Sequence, residues 1–528
     1  LWQAANGRAI RILRGHRREV TGVTFSPGGK ALASCGRDQT IRLWDVASGK
    51  DRQPRQGHAG IVHGLSVSRD SKRLASVGHD HMVRLWDACS GAELHALRES
   101  DDFVHTVALS PNGALVAGGE IRAVQLWNAA TGKALRRITG QAGEHLNAVF
   151  SPNGKLLACG SWQQTSRGEG GVLSLWDPAT GEERRRIAGP VSGGFAEVAF
   201  AADGKKLGSF GPDVRVWDST TGKELLSIKR GYHYAFLPDG ERLLVQSSED
   251  KKTVCVWDIA SGRELQRFIQ PDKIRSYVPF ALSPDGRTVA WSMRDHTIEL
   301  WELASWKKRR SLVGHQGNVE SMAFAPDGRV FFSGSEDTTI LAWDLTRADE
   351  ARQARVTEKE LPDLWRDLAG ENAERADCAI WLLAAAPEMS APFLEKHIRP
   401  IAAMPPERLA RLIADLDSDQ FAVRDKAMRE LEELGELPET ALRKLLAGKP
   451  TLEARRRAEQ LLEKLRGPLP AGERLRSLRA VEVLEHAGTE QAWRLLTRLA
   501  GGAPEARLTR EAKGALQRLD RRAQGRVK

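Results

Sequence analysis

Tyrosine occurs three times, methionine six times and cysteine five times in the 528 residues of this chain. The cysteines, at 35, 89, 159, 255 and 378, form no CxxC pair and no ligand cluster, so neither a disulfide framework nor a zinc site is expected. Positions 35, 159 and 255 fall in segments that read as strands, where a free thiol serves as small core filler. That usage fits a reducing compartment, and the expected location is the cytoplasm. No apolar run approaches the ~18 residues of a membrane span. Phosphate loops are missing too: GEGG and GPVSGG lack the Lys-Ser/Thr pair such a loop needs. There is no HExxH and no set of carboxylates at metal-binding spacing. No catalytic, cofactor-binding or metal-binding residue is therefore expected, and an enzyme is disfavoured. A net charge of +10 is thin over this length and selects no partner class by itself. Because Leu1 rather than Met opens it, the chain reads as a fragment, the regulatory part of a longer protein being one alternative.

What the chain does have is tryptophan at regular intervals. Trp2, Trp44, Trp86, Trp127, Trp176, Trp217, Trp257, Trp301 and Trp343 each close an alternating segment such as RLWD, QLWN or VCVWD, 40 to 49 residues apart. Between them recurs a tight-turn marker, SPNG, AADG, LPDG, SPDG or APDG, in which Asp or Asn supplies an acceptor and Gly a positive φ. After most tryptophans a Ser/Thr-Gly pair leads into a charged outer strand, such as residues 8–13 and 224–228, as expected where a sheet edge meets water. A four-stranded unit of this kind has two apolar faces and must stack on neighbours, so the units close into a ring. Residues 161–171, SWQQTSRGEGG, lengthen the fourth unit and read as a rim loop carrying Trp162.

With these markers the chain resembles the WD40 family over roughly residues 1–345, which implies an all-β WD40 β-propeller. The resemblance also implies a tetrad in each complete unit, in which His, Ser, Asp and Trp satisfy one another's buried polar groups. Three units carry it: His16, Ser34, Asp38, Trp44; His58, Ser76, Asp80, Trp86; and His315, Ser333, Asp337, Trp343. A set copied three times at the same offsets from Trp is structural, since a nucleophile with its base would occur once. Cys159 and Trp291 stand where Ser would be, so the middle units rely more on apolar packing. Counting Trp-closed units predicts eight blades, with seven the alternative and residues 8–14 as the outer strand that closes the ring. The resemblance places partner contacts next to the tetrad Asp, at Arg37, His79, Arg294 and Glu336. Trp162 is a further candidate contact.

From about residue 345 the apolar spacing becomes helical. A charged linker, 346–360, leads to an all-α region, 361–528, in which Leu409, Leu412, Ile413 and Leu416 share one face, and Val423, Ala427, Leu431 and Leu434 the next. Residues 416–435 resemble the inner helix of a HEAT repeat, and the whole arrangement resembles a bacterial type of WD40 protein with a HEAT-like C-terminal domain. Residues 345–453 carry 16 Lys/Arg against 22 Asp/Glu, while 454–528 carry 18 against 9. The basic end, with Arg455, Arg456, Arg457, Arg474, Arg476 and Arg479, reads mainly as a solvated helix face. Contact with nucleic acid or an acidic partner is the second reading. The expected function is a non-catalytic scaffold for protein partners.

Overall fold

Seven apolar seams decide the architecture. The computed structural model describes residue 13, residues 20–25, 31–36 and 41–46, most of 57–347, and 356–526 apart from 449. Blade one comprises strands Val62–Val67, Arg73–Gly78, Val83–Asp87 and Glu93–Leu97, hydrogen-bonded antiparallel in chain order. The same plan recurs in blades two to six, whose last strands end at Ile138, Ala188, Lys229, Ile269 and Leu312. Blade seven has the described strands Val319–Phe324, Val330–Ser335 and Ile340–Asp344. In blade one the Trp-closed strand buries residues on both faces because both faces of its sheet are covered: Val83 and Leu85 are fully buried on one and Trp86 nearly so on the other. The turns follow their sequence marker, with Gly113 of SPNG held at φ 66°.

Neighbouring blades share one core each. Val77 and Leu85 meet Val104 and Trp127 between blades one and two, and Val254 and Val256 meet Val289 and Trp291 between blades five and six. The last seam joins blade seven to blade one, where Ala325 and Phe332 pack on Leu74 and Trp86. Gly334 of blade seven is so close to Val62 that a Cβ there would lie 2.5 Å from the Val62 Cγ1. The ring therefore closes with seven blades, not eight. The unit ending at Trp44 forms its own sheet, Val20–Phe25, Ala31–Gly36 and Ile41–Asp45, and none of its described residues enters a seam core. Counting tryptophans could not reveal this, because a Trp reports that a unit is a blade and not which blade it stacks on. The expected closing strand at residues 8–14 lies outside the described residues, apart from Leu13.

The rim loop expected at 161–171 is instead an extension of blade three. Strands Leu157–Thr165 and Gly168–Trp176 stay paired in register out to Thr165 and Gly168, and Trp162 lies in the first of them, opposite Gly171.

Beyond Asp344 the described elements are ten helices: α1 (Leu361–Asp367), α2 (Ala373–Ala385), α3 (Pro387–His397), α4 (Pro406–Asp415), α5 (Phe421–Glu433), α6 (Glu439–Ala447), α7 (Leu452–Arg466), α8 (Glu473–Ala487), α9 (Glu490–Ala500) and α10 (Arg507–Arg526). Asn372, Thr451 and Thr489 cap α2, α7 and α9 through their side-chain oxygens. The helices pack around two cores. One core joins α1–α3 to α8–α10, through Ile380, Leu383, Leu394, Val481, Leu484 and Leu496. The intervening α4–α7 close a separate core around Leu416, Leu431, Leu442 and Leu461. Among the described residues no helix is long and apolar enough to cross a membrane.

Candidate interaction face

Each blade turns between its second and third described strands, and in two blades that turn is fastened by the expected four residues. In blade one the Trp86 Nε1 donates to Ser76 Oγ at 2.8 Å, His58 Nε2 lies 2.7 Å from the same hydroxyl, and His58 Nδ1 lies 2.8 Å from Asp80 Oδ1. The backbone N–H of Ala59 donates to Asp80 Oδ2 at 2.9 Å. Blade seven repeats the set: Trp343 to Ser333 at 2.8 Å, His315 to Ser333 at 2.7 Å and His315 to Asp337 at 2.9 Å. Burial alone would push the Asp80 and Asp337 carboxyls up, but the hydrogen bonds from His58 and His315, together with those from the Ala59 and Gln316 N–H groups and from Thr339, outweigh it and hold both well below the usual carboxylate range. Of the first-unit set, Trp44 donates to Ser34 at 2.8 Å, while His16 and Asp38 lie outside the described residues.

The middle blades lose the fastener in steps. Blade four keeps one bond, Trp217 to Ser209 at 2.8 Å. In blade three Cys159 replaces Ser, the Trp176 Nε1 has no hydrogen-bond partner, and burial pushes the thiol up to about 12. In blade six Trp291 fills the Ser position, its own Nε1 without a partner, and Trp301 turns to Glu299 Oε2 at 2.9 Å instead.

The tetrad Asp fixes the turn and leaves the residue before it outward. His79, Arg294 and Glu336 are all exposed. Arg37 lies outside the described residues. Glu336 accepts from Asn318 Nδ2 at 2.7 Å. His79 belongs to a larger grouping that the sequence pattern missed. His63, 5.1 Å away between ring centroids, stacks on Phe103, and His79, His81 and His105 all set their rings against the same Phe103 at 4.7–5.4 Å. Burial, with His79 nearby, brings His63 down to about 4, so its ring is neutral near pH 7. The signal available was His79-Asp80-His81 beside two histidines that each follow the first residue of an innermost strand, at 63 and 105.

A second polar constellation lies where blade six meets the helices. Arg309, on the outer strand Lys307–Leu312, donates to both oxygens of Glu482 on α8 at 2.8 Å and to Glu302 Oε1 at 2.9 Å. Arg479 on α8 grips Glu302 with two bonds, at 2.9 and 2.7 Å, and the carbonyls of Leu368 and Gly370 with its other nitrogen. Arg287 reaches Glu485 at 2.8 Å and Glu511 at 2.9 Å, and Arg518 holds Glu485 from α10. Burial opposes the charge on Glu302, yet Arg309 and Arg479 bring its carboxyl down to about 2. The same balance drives Glu482 well below, and Arg309 well above, their ordinary values. Arg479 is thus no solvated face; it is 1 % exposed. Of the other basic-end arginines, Arg457 is paired with Glu453 at 2.7 Å and Arg474 donates to the carbonyls of Glu432 and Glu433, whereas Arg455 and Arg456 are exposed. Beside this network, ligand atoms of Asp285, Glu482 and His486 come within 4.8 Å of one another, a grouping that residues nearly 200 positions apart could not betray in sequence.

Four segments, residues 7–45, 49–87, 132–177 and 306–344, match the model for the WD domain, G-beta repeat. The chain is similar to the nuclear distribution protein nudF of Aspergillus niger, 27% identical over 118 residues, 21% of this chain and 26% of that protein. It is also similar to apoptotic protease-activating factor 1 of Mus musculus, 32% identical over 114 residues, 22% of this chain and 8% of that protein. A third relative is the anaphase-promoting complex subunit cdc20 of Dictyostelium discoideum, 35% identical over 74 residues, 14% of this chain and 15% of that protein. The chain spans about a quarter or less of these relatives. Three of the matched segments, 49–87, 132–177 and 306–344, contribute strands to the ring, which is a seven-bladed β-propeller followed by a helical region.

Proposed function

We propose that this chain is a non-catalytic scaffold that binds protein partners through the propeller face bearing the turn before strand Val83–Asp87 and its counterparts. One observation carries the reading: Asp80 and Asp337 are bonded from behind by His58 and His315, so the turns that present His79 and Glu336 are held in place before any partner arrives. A surface ordered in advance loses little conformational freedom on binding, and that is where affinity is gained. WD40 propellers generally act as protein-interaction scaffolds, in keeping with this assignment. The helical region, 361–528, serves as a second docking surface beyond the connector 346–360, held at a fixed orientation by the Arg309–Glu482 junction. Nucleic-acid binding by the basic helical end has less support, because Arg457, Arg474 and Arg479 are already engaged by protein groups.

The test is affinity capture with the full chain and quantification of bound proteins by mass spectrometry. Replacing His79 and Glu336 together by Ala should lower recovery of specific partners by about tenfold or more while leaving the melting temperature unchanged. Equal recovery by the double variant, or turnover of a substrate by the purified chain, would overturn the assignment.

A further inference from the structure

We infer, resting on the reading of the face bearing His79 and Glu336 as the partner surface, that what the partner presents there is an arginine side chain. Phe103, the imidazoles around it and Glu320 receive it at the inner rim of blades seven, one and two. Bulges build this rim. Strand Val62–Val67 pairs Val62 with Gly78 and Gly64 with Val77, so His63 is an extra residue in the ladder. His105 on Val104–Leu109 and Glu320 on Val319–Phe324 are the extra residues at the same place in blades two and seven. A bulge locally frees a residue from the ladder and re-aims its side chain. The three blades are consecutive around the ring. His63 Nε2 lies 3.2 Å from the Val104 carbonyl oxygen, and Ser321 Oγ, next to Glu320, lies 3.5 Å from that of Val62.

Charge on the rim is one-sided. Among the described residues, the turns 57–61 and 79–82 of blade one and 316–318 and 336–339 of blade seven contain no lysine or arginine, although the whole chain carries a net charge of +10. They hold Asp80, Glu336 and Asp337, with half-buried Glu320 on the strand between. Arg84, on the strand after the blade-one turn, is already engaged by Glu93 at 2.7 Å and by Asp80 at 3.5 Å. The neutral His63 ring supplies no charge near pH 7. A cationic partner group is therefore the complement of this rim.

The rings select arginine over lysine. A carbonyl oxygen only accepts, so neutral His63 carries its proton on Nε2, facing Val104, and its buried Nδ1 is a lone pair without a hydrogen-bond partner. The buried Nδ1 of His81 has no partner either. Beside these atoms Phe103 and four imidazoles gather their flat rings within 4.7–5.4 Å of one another. A planar guanidinium stacks on such rings while its fork of N–H donors reaches carboxylates and ring nitrogens; a compact ammonium does the second only.

A phage-displayed library of random heptapeptides is the probe, panned on the full chain, with selected peptides then measured by calorimetry. The expected result is one arginine shared by the selected peptides. Replacing it in the peptide by citrulline, which keeps the shape and loses the charge, should lower affinity by at least ~10-fold, and lysine should not restore it fully. Glu320→Gln and His63→Phe should each weaken the arginine peptide while leaving the citrulline peptide nearly unchanged, a difference that a merely structural role would not produce. Arginine peptides indifferent to both substitutions would overturn the site, as would a library from which nothing is enriched. Selected peptides that share no arginine, yet lose binding when His79 and Glu336 are both replaced by Ala, would overturn the arginine and leave the face as the partner surface. Peptides indifferent to that double replacement as well would count against the face itself.

Discussion

The blade-one fastener and the blade-six junction are both buried polar sets, and they differ in what they join. His58, Ser76, Asp80 and Trp86 lie within 29 positions of each other and tie one sheet to its own turn. Arg309, Glu302, Arg479 and Glu482 span up to 180 positions and tie the ring to a helix. The first set holds a single carboxylate, Asp80, and its members share hydrogen bonds from one to the next. The second is fully charged, and its stability depends on every charge keeping its partner, because a buried ion pair gains little net energy while a buried orphan ion is expensive. A local set with one carboxylate should therefore fail gently, and a long-range set of paired charges abruptly.

The largest effect expected from that contrast is at Arg309. Arg309→Met takes from buried Glu482 its two-bond partner, while Glu302 keeps Arg479, and should lower unfolding stability by about 3–5 kcal/mol. Adding Glu482→Gln, which removes one orphaned charge, should recover part of the loss. Denaturant titration of the three proteins decides it: a single-variant loss under ~1 kcal/mol would mean that water reaches the junction and that its charges are not truly buried.

Acid should separate the two regions next. The Glu302 carboxyl lies at about 2, against an ordinary 4.5. A group lowered on folding contributes its stability above the unfolded value and loses it as pH falls, so the Glu302 share is complete above about pH 4.5 and fades toward pH 2. The drop corresponds to roughly 3 kcal/mol. Asp80 and Asp337 act in the same direction, and Asp377, raised by burial, acts in the opposite one. Melting temperature between pH 6 and 3 should fall more steeply for the native chain than for Glu302→Gln. Parallel curves would remove Glu302 from the ionic core.

The same contrast explains how much could be read from the residues alone. The tetrad partners were legible because repetition prints them: His, Ser and Asp stand at fixed offsets from a Trp, and His58 and His315 carry the same pattern 257 positions apart. Ring closure was not legible. The units ending at Trp44 and Trp86 share one grammar, and contacts in space, such as Val62 with Gly334 and Leu74 with Phe332, decide which of them meets blade seven. Arg309 was misleading for a related reason. On the corresponding outer strand of blade three, Arg184 and Arg186 are half-exposed and pair with nearby carboxylates, so charge on such a strand reads as a water-facing edge. In blade six the helices cover that edge, and the same kind of residue becomes the centre of a buried network. Phe103 and its four histidines escaped notice because they gather across two blades without a repeating interval.

The smallest expected effects test whether the fastener fails gently within the ring itself. In blade one Asp80→Ala removes the hydrogen bonds that His58 Nδ1 and the Ala59 N–H make to its carboxylate. Each such loss costs about 1 kcal/mol or somewhat more, so about 2–3 kcal/mol is expected. In blade four Ser209→Ala removes only the acceptor of Trp217 Nε1 and should cost about 1 kcal/mol. Blade three already tolerates an unpaired Trp176 Nε1 beside Cys159. Cys159→Ser supplies the missing hydroxyl and should repay a fraction of a kcal/mol, or nothing where the oxygen fails to reach the indole. If Asp80→Ala proved no worse than Ser209→Ala, the His58–Asp80 pair would add nothing beyond the Trp–Ser bond, and the turn bearing His79 would have to owe its position to the packing of the seams alone.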